Sequence, residues 1–282
     1  MWKLSNLWAM KGMSVGPPYL TVQVVAPGAL AIHGPKGSLR LVGDEPEDGR
    51  PVPLIELAWA PTWSDVVGSE SAAWPTLWAR TVSVLLHFVG EAGHGGALFV
   101  LPDDAVPNAL DVKYCIESAS AMLKAAALPT LDAEAAENAA IAQSVTDAAT
   151  IPYACAAMLT TESRQQKWID AGECVAHLAG VDGALLLTRD LRLRGFGAVV
   201  RHVGELPPIL RAVDAGALDR QPYDLSASGT RHRSAAVFCK QNPGVAAFVV
   251  SQDGEMSAMR SIDETVIVWH IKPQKIDGGG AP

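Results

Sequence analysis

The chain has 282 residues, of which 49% are apolar and 18% charged, with a formal net charge of -8. That length and apolar share support one large folded core or two modest ones and exclude a disordered chain. The negative balance excludes a broad nucleic-acid-binding surface, so any anion site must be local.

Four widely spaced cysteines, Cys115, Cys155, Cys174 and Cys239, form no CxxC pair. This argues against zinc and favours the reduced thiols of a cytoplasmic protein. No run reaches the roughly 18–20 apolar residues of a membrane helix, so no membrane partner is expected. Met1 to Lys11 carries Trp2, Leu4, Leu7 and Trp8 without the long apolar core of a signal peptide; a helix packed on its own domain is expected there.

Residues 19–43 read as strands. Leu20 to Ala26 alternates and ends at Pro27-Gly28, and Ala29–His33 and Ser38–Val42 form a hairpin across Gly34-Pro35-Lys36-Gly37. An acidic loop, Asp44 to Pro53, leads to a further expected strand at Leu54 to Trp59. Thr76 to Glu91 has helical spacing, with Gly90 or Gly93 as its stop. His94 to Pro102 is a buried strand entered through glycines; His94 is read as structural, with a functional role as the alternative. Asn108 to Trp168 is alanine-rich and expected to be mainly helical, with Leu131 to Ala149 as one helix capped by Thr130. Glu134 and Glu137 are expected on its solvated face, and Pro152 breaks the pattern.

After a helix at Ala171 to Leu178, a glycine-bordered apolar strand follows at Ala179 to Thr188. Its Asp182-Gly183-Ala184-Leu185 echoes the earlier Gly95-Gly96-Ala97-Leu98. Further strands are expected at 197–200, 245–250, 255–259 and 265–271. Alternation of helices and strands implies an α/β core around a mixed sheet flanked by helices, followed by a loose glycine-rich tail.

The unusual stretch is Gly229-Thr230-Arg231-His232-Arg233-Ser234. The apolar run behind it predicts a helix starting near Thr230. A helix start is electropositive and attracts acids, yet this one carries three basic side chains. A phosphate held by backbone N–H groups and guanidinium forks resolves the conflict; a solvated basic turn is the alternative. Asp182, at the mouth of an apolar strand beside small Gly183 and Ala184, can hold a divalent cation or orient a hydroxyl, or serve as a turn residue. Together the two motifs supply what phosphoryl or nucleotidyl transfer needs.

Asp182-Gly183-Ala184, followed 45 residues after Ala184 by Gly229-Thr230-Arg231-His232-Arg233, resembles the diadenylate cyclase domain family. Gly96 to Val100 is similar to that family's early strand, and Phe248-Val249-Val250-Ser251 to the strand that ends in its serine. The resemblance spans residues 78–271, with a helical insertion at about 104–170, an N-terminal β-rich extension at 1–77 and a tail at 272–282. It implies two domains meeting face to face, hence a homodimer or higher homo-oligomer, each holding one ATP. Two ATP would be condensed to cyclic di-AMP and two pyrophosphates with Mg or Mn. Carried over by motif, Asp182 would bind metal and activate the ribose 3′-hydroxyl, and Gly183 and Ala184 would line the nucleotide. Gly229, Thr230, Arg231, His232, Arg233 and Ser234 would contact phosphates, with Arg231, His232 and Arg233 joining Asp182 in catalysis, and Ser251 would face the nucleotide.

The chain departs from the family at Val181, where many members carry histidine, and at Gln252-Asp253-Gly254, where members carry paired glutamates or arginines. Three readings follow: an active diadenylate cyclase, a catalytically inactive sensor of ATP or another nucleotide in a bacterial signalling or defence system, and an interaction module without ligand.

Overall fold

The computed structural model describes residues 51–273 apart from 69, 202–204 and 227, and four strands within residues 1–50. The chain divides into two compact units, Met1–Arg50 and Pro51–Pro282. Residues 51–77, expected with the N-terminal extension, therefore belong to the larger unit.

The first unit is a four-stranded antiparallel sheet of β1 (Lys3–Ser5), β2 (Thr21–Ala26), β3 (Ala29–Gly34) and β4 (Gly37–Val42), in the order β1-β4-β3-β2. The hairpin expected across residues 34–37 is present, with Gly34 opposite Gly37. The N-terminal helix is not: Lys3–Ser5 pairs with β4, where a free strand edge offers backbone partners that outweigh helical spacing. The rest of that segment, the loop at 44–50 and the tail beyond 273 lie outside the described residues.

The second unit begins with β5 (Val52–Pro53) and the helices α1 (Leu54–Trp59), α2 (Ser64–Val67) and α3 (Trp74–Glu91). Next come β6 (Gly96–Leu101), β7 (Leu110–Ser120), α4 (Met122–Thr146), α5 (Ile151–Ala176), β8 (Ala184–Thr188) and β9 (Leu193–Val200). It closes with β10 (Ile209–Ala212), β11 (Arg220–Pro222), α6 (Thr230–Gln241), β12 (Ala246–Val250), β13 (Met256–Ile262) and β14 (Thr265–Lys272). The strands form one mixed sheet in the order β11-β10-β14-β13-β12-β6-β8-β9-β7, with β5 paired beside the end of β14. The β6–β8, β10–β14 and β5–β14 pairs are parallel and the others antiparallel. This is the expected α/β architecture.

Strand alternation builds a core on each face of the sheet. Leu98, Val100, Leu185, Leu187, Phe248 and Trp269 point to the side covered by α1, α3 and α5. Phe99, Leu186, Ala247, Val249, Val266 and Val268 point to the side covered by α6. On the first face Trp63 meets Phe248 and Trp269 at ring-centroid distances of 5.8 and 5.2 Å. On the second, Phe99 and Phe238 meet at 4.6 Å. The echo between the two glycine-led strands is literal adjacency: Ala97 lies beside Ala184 and Leu98 beside Leu185 in the parallel β6–β8 pair.

Several expected elements differ. Leu54–Trp59 is a helix, not a strand, because Leu54, Leu57 and Ala58 fall at i, i+3, i+4 and all three are buried. Leu110–Ser120 is a strand inside the segment expected to be helical: Val112, Tyr114 and Ile116 alternate with Lys113 and Cys115, and Tyr114 stacks on its cross-strand partner Phe196 at 4.7 Å. Thr130 is not an N-cap. The helix starts eight residues earlier, runs through Pro129, and Thr130 Oγ1 donates to the Ala126 carbonyl. Burial of Leu123 and Ala127 overrides the proline. Pro152 starts α5 from its first turn, where a missing N–H costs nothing. Glu134 is not on a fully solvated face but half-buried. It accepts both Nη groups of Arg80 at 2.8 Å and Gln165 Nε2 at 3.0 Å, while Arg80 stacks over Trp168, fastening the α4–α5 hairpin to α3. No helix among the described residues is long and apolar enough to cross a membrane. All four cysteines are free, and burial pushes the Cys239 thiol up to about 12.

Candidate functional site

On the α6 side of the sheet lies a cleft of about 980 Å³. Its floor is a single register row: His270 opposite Ser257, Ser257 opposite Val249, Val249 opposite Ala97, Ala97 opposite Ala184 and Ala184 opposite Ala198. Six strands at about 4.8 Å spacing make this row roughly 24 Å long. Small side chains in its middle leave the space that bulky core residues fill one row further on.

The Asp182-Gly183-Ala184 motif borders one end of the row. Gly183 has φ of +122°, and a Cβ there would come within 2.5 Å of the Gly197 carbonyl carbon. Gly197 is itself at φ +67°. The two glycines let the entry to β8 pass tightly over β9, and Asp182 is left exposed at the rim, its carboxylate without a hydrogen bond among the described residues.

The start of α6 overhangs the row. Its N-cap is Gly229, no side chain caps it, and no acid occupies the first turn. The first intrahelical bond runs from Arg233 N to Gly229 O at 3.3 Å, so the N–H groups of Thr230, Arg231 and His232 have no partner within the helix. Gly229, Thr230, Arg231, His232 and Ser234 line the cleft. Arg233 is exposed and outside the lining. The Ser234 hydroxyl is turned inward, donating to the Thr230 carbonyl. Arg231 Nη1 donates to the His94 carbonyl at 3.1 Å, which anchors its guanidinium beside the entry to β6. His94 thus contributes through its backbone. The neighbouring Gly95 must lack a side chain, because a Cβ would meet Val250 O at 2.6 Å with φ at +65°.

The β12–β13 turn forms a third wall, with Ser251, Gln252, Asp253 and Glu255 in the lining. Ser251 Oγ bonds both the Asp253 carboxylate and, at 3.1 Å, the Glu255 carbonyl. The hydrogen bond from Ser251 is the main cause holding the Asp253 carboxyl below its usual range. Ser251 is therefore committed to shaping the turn.

Three ionisable lining side chains escaped sequence reasoning: Tyr223, Glu255 and His270. Tyr223 and Glu255 carry no local signal. His270 carries one, because alternation along β14 places it on the same face as the core residues Val266 and Val268. An imidazole in an apolar file marks where the core opens into the cleft. Burial lowers the pKa of His232 and of His270 despite the opposing pull of Glu255.

The structure therefore brings the two sequence motifs and Ser251 around one space. No group of three or more His, Cys, Asp or Glu side chains among the described residues forms a metal cage. The Asp182 carboxylate, unengaged among the described residues, could serve only as a single protein ligand, a demand that Mg²⁺ can meet because it is commonly held by one or two carboxylates plus substrate oxygens and water. In sequence comparison no family model and no curated protein matches the chain.

Proposed function

We propose that the cleft is a nucleotide site of the diadenylate-cyclase kind, taking ATP and condensing two of them to cyclic di-AMP. The observation that carries this reading is that Asp182-Gly183-Ala184 and Gly229 to His232, distant in sequence, line one cleft. The N–H groups of Thr230, Arg231 and His232, which have no partner within the helix, and the Arg231 fork bind triphosphate oxygens. The row of Ala97, Ala184 and Ala198 is flat enough for the ribose and base. Asp182 faces the ribose 3′-hydroxyl, orients it and draws its proton as the 3′-oxygen forms a bond to an α-phosphorus. The bond from that phosphorus to the bridging oxygen breaks, and pyrophosphate leaves. A Mg²⁺ or Mn²⁺ bound with the triphosphate, with Asp182 as its protein ligand, would neutralise charge on the phosphates. The attacked phosphate belongs to the ATP of a second copy, so the reaction needs a face-to-face homodimer.

A second reading, a nucleotide sensor without turnover, is favoured by Asp253. Its carboxylate, fixed by Ser251 at the cleft wall, opposes the approach of a second triphosphate. The test is incubation of the pure protein with ATP and either metal, followed by mass spectrometry, beside calorimetric titration with ATP and cyclic di-AMP. Cyclic di-AMP with release of pyrophosphate is the expected result. Binding without product would favour the sensor, and no binding of any nucleotide at millimolar concentration would remove both readings.

A further inference from the structure

At the end of the floor row opposite Asp182, the cleft holds a pair, His270 and Tyr223, that the phosphate contacts expected from Gly229 to Ser234 leave unused. His270 Nε2 lies 3.1 Å from Tyr223 Oη, and the two rings meet edge to face with centroids 5.7 Å apart. His232, from the first turn of α6, lines the same space. His232 is faced by Asp253 and Glu255 from the β12–β13 turn and by His270 from β14. His270 is faced by Glu255, by Arg211 on β10 and by Tyr223 just after β11. The start of α6, Gly229 to His232, lines the same cleft as this group and Asp182. A nucleotide with its ribose at Asp182 and its first phosphates at Gly229 to Arg231 therefore runs its last phosphate toward His232 and His270.

A terminal phosphate carries the highest charge of the polyphosphate chain and offers only acceptors. Beside the Glu255 and Asp253 carboxylates it needs facing donors and positive charge. We propose that His270 and Tyr223 extend the phosphate contact expected of His232 into a terminal-phosphate subsite that selects triphosphates over shorter nucleotides and binds them together with a proton. The inference rests on the nucleotide reading above. The proton comes from solvent to an imidazole nitrogen. Once His270 is an imidazolium, its Nε2–H donates to Tyr223 Oη, and the phenol O–H is free to donate into the cleft.

The sign follows from linkage. Burial holds both imidazoles below their ordinary value of 6.5 in the free protein. A phosphate raises them, so protons are taken up on binding and affinity grows as pH falls toward and below that value.

Calorimetry on the full chain with ATP, ADP, AMP and inorganic triphosphate, at about pH 6 and about pH 7.5 in two buffers of different ionisation enthalpy, tests this. ATP is expected to bind about tenfold tighter at the lower pH, with uptake approaching one proton, and AMP to show neither. His270→Gln and Tyr223→Phe should each cut the ATP-to-AMP affinity ratio about tenfold and flatten the pH slope. Thermal unfolding of both checks that they fold, Tyr223→Phe being the milder change. The ligand's own titration is common to wild type and variants and cancels between them. Equal pH slopes for ATP and AMP, or wild-type slopes in both variants, would overturn the subsite while leaving nucleotide binding intact. Inorganic triphosphate binding as ATP does, with AMP inert, would support the subsite and overturn the nucleotide reading. Absence of binding by all four ligands would end both.

Discussion

Under the proposed function, Arg231 and Asp182 have separable roles because their surroundings differ. Arg231 is exposed yet anchored by its bond to the His94 carbonyl, so Arg231→Ala should fold normally and weaken ATP binding about tenfold to a hundredfold, read by calorimetry. Among the described residues the Asp182 carboxylate has no partner to lose. Asp182→Asn should keep ATP affinity within about threefold while cutting cyclic di-AMP formation at least about a hundredfold. Equal loss of both would remove its assigned role. Gly183 is held by backbone rather than chemistry. Its φ of +122° and the 2.5 Å approach of Gly197 to any added Cβ mean that neither strand can yield cheaply. Gly183→Ala should lower stability by roughly 2–4 kcal/mol in urea unfolding. These constraints were partly legible in the sequence: a glycine beside an aspartate at a strand mouth announces close approach, though not that Gly197 is the neighbour.

Among the elements, α6 was the most legible, because strong helix formers behind a basic stretch locate both its start and its electrostatic conflict. The β12–β13 turn was read only as a departure from a family pattern, and its role as a cleft wall depends on register. Leu54–Trp59 shows why a short apolar run misleads: period 2 and period 3.6 both fit six residues, and burial decides between them; Leu110–Ser120 was hidden by the alanine-rich segment around it and is fixed by pairing with β9. The short helix α2 is secured from across the fold. Asp65 takes a bidentate pair from Arg260 at 2.7 and 2.6 Å, and the Arg260 side chain is only 7% exposed. Asp65→Ala would strand that cation against the Trp63 ring and should cost about 2 kcal/mol, measured as a lower urea midpoint with unchanged slope. Arg260→Met, which removes the charge as well, should cost less; a larger loss would show that the pair itself carries the stability.

For the whole molecule, two sets of titrations act in the same direction. Burial works against ionisation of Asp65, Glu134 and Asp190, but Arg260 for the first, Arg80 and Gln165 for the second, and Thr188 and Arg192 for the third hold each carboxyl below its ordinary value. Their contribution is present above about pH 4 and is lost as pH falls through the lowered values. His232 and His270 are also lowered, by burial, so the unfolded chain takes up protons first as pH falls below about 6.5, and stability is lost there too. The melting temperature should therefore fall steadily from about pH 7 to about pH 4, with the first part of the fall reduced in a His270→Gln variant. A flat profile between about pH 7 and pH 5.5 would contradict the burial assigned to the two imidazoles. The sequence by itself determined the α/β class, the positions of α3, α6 and the apolar strands, and the two motifs, because periodicity, glycine placement and helix-end charge are local properties. Only the tertiary structure decided that these motifs share one cleft, that Arg233 stands outside it, and that Tyr223, Glu255 and His270 complete it. Those facts depend on strand order and register, which are set by how side chains from distant segments pack on the two faces of the sheet.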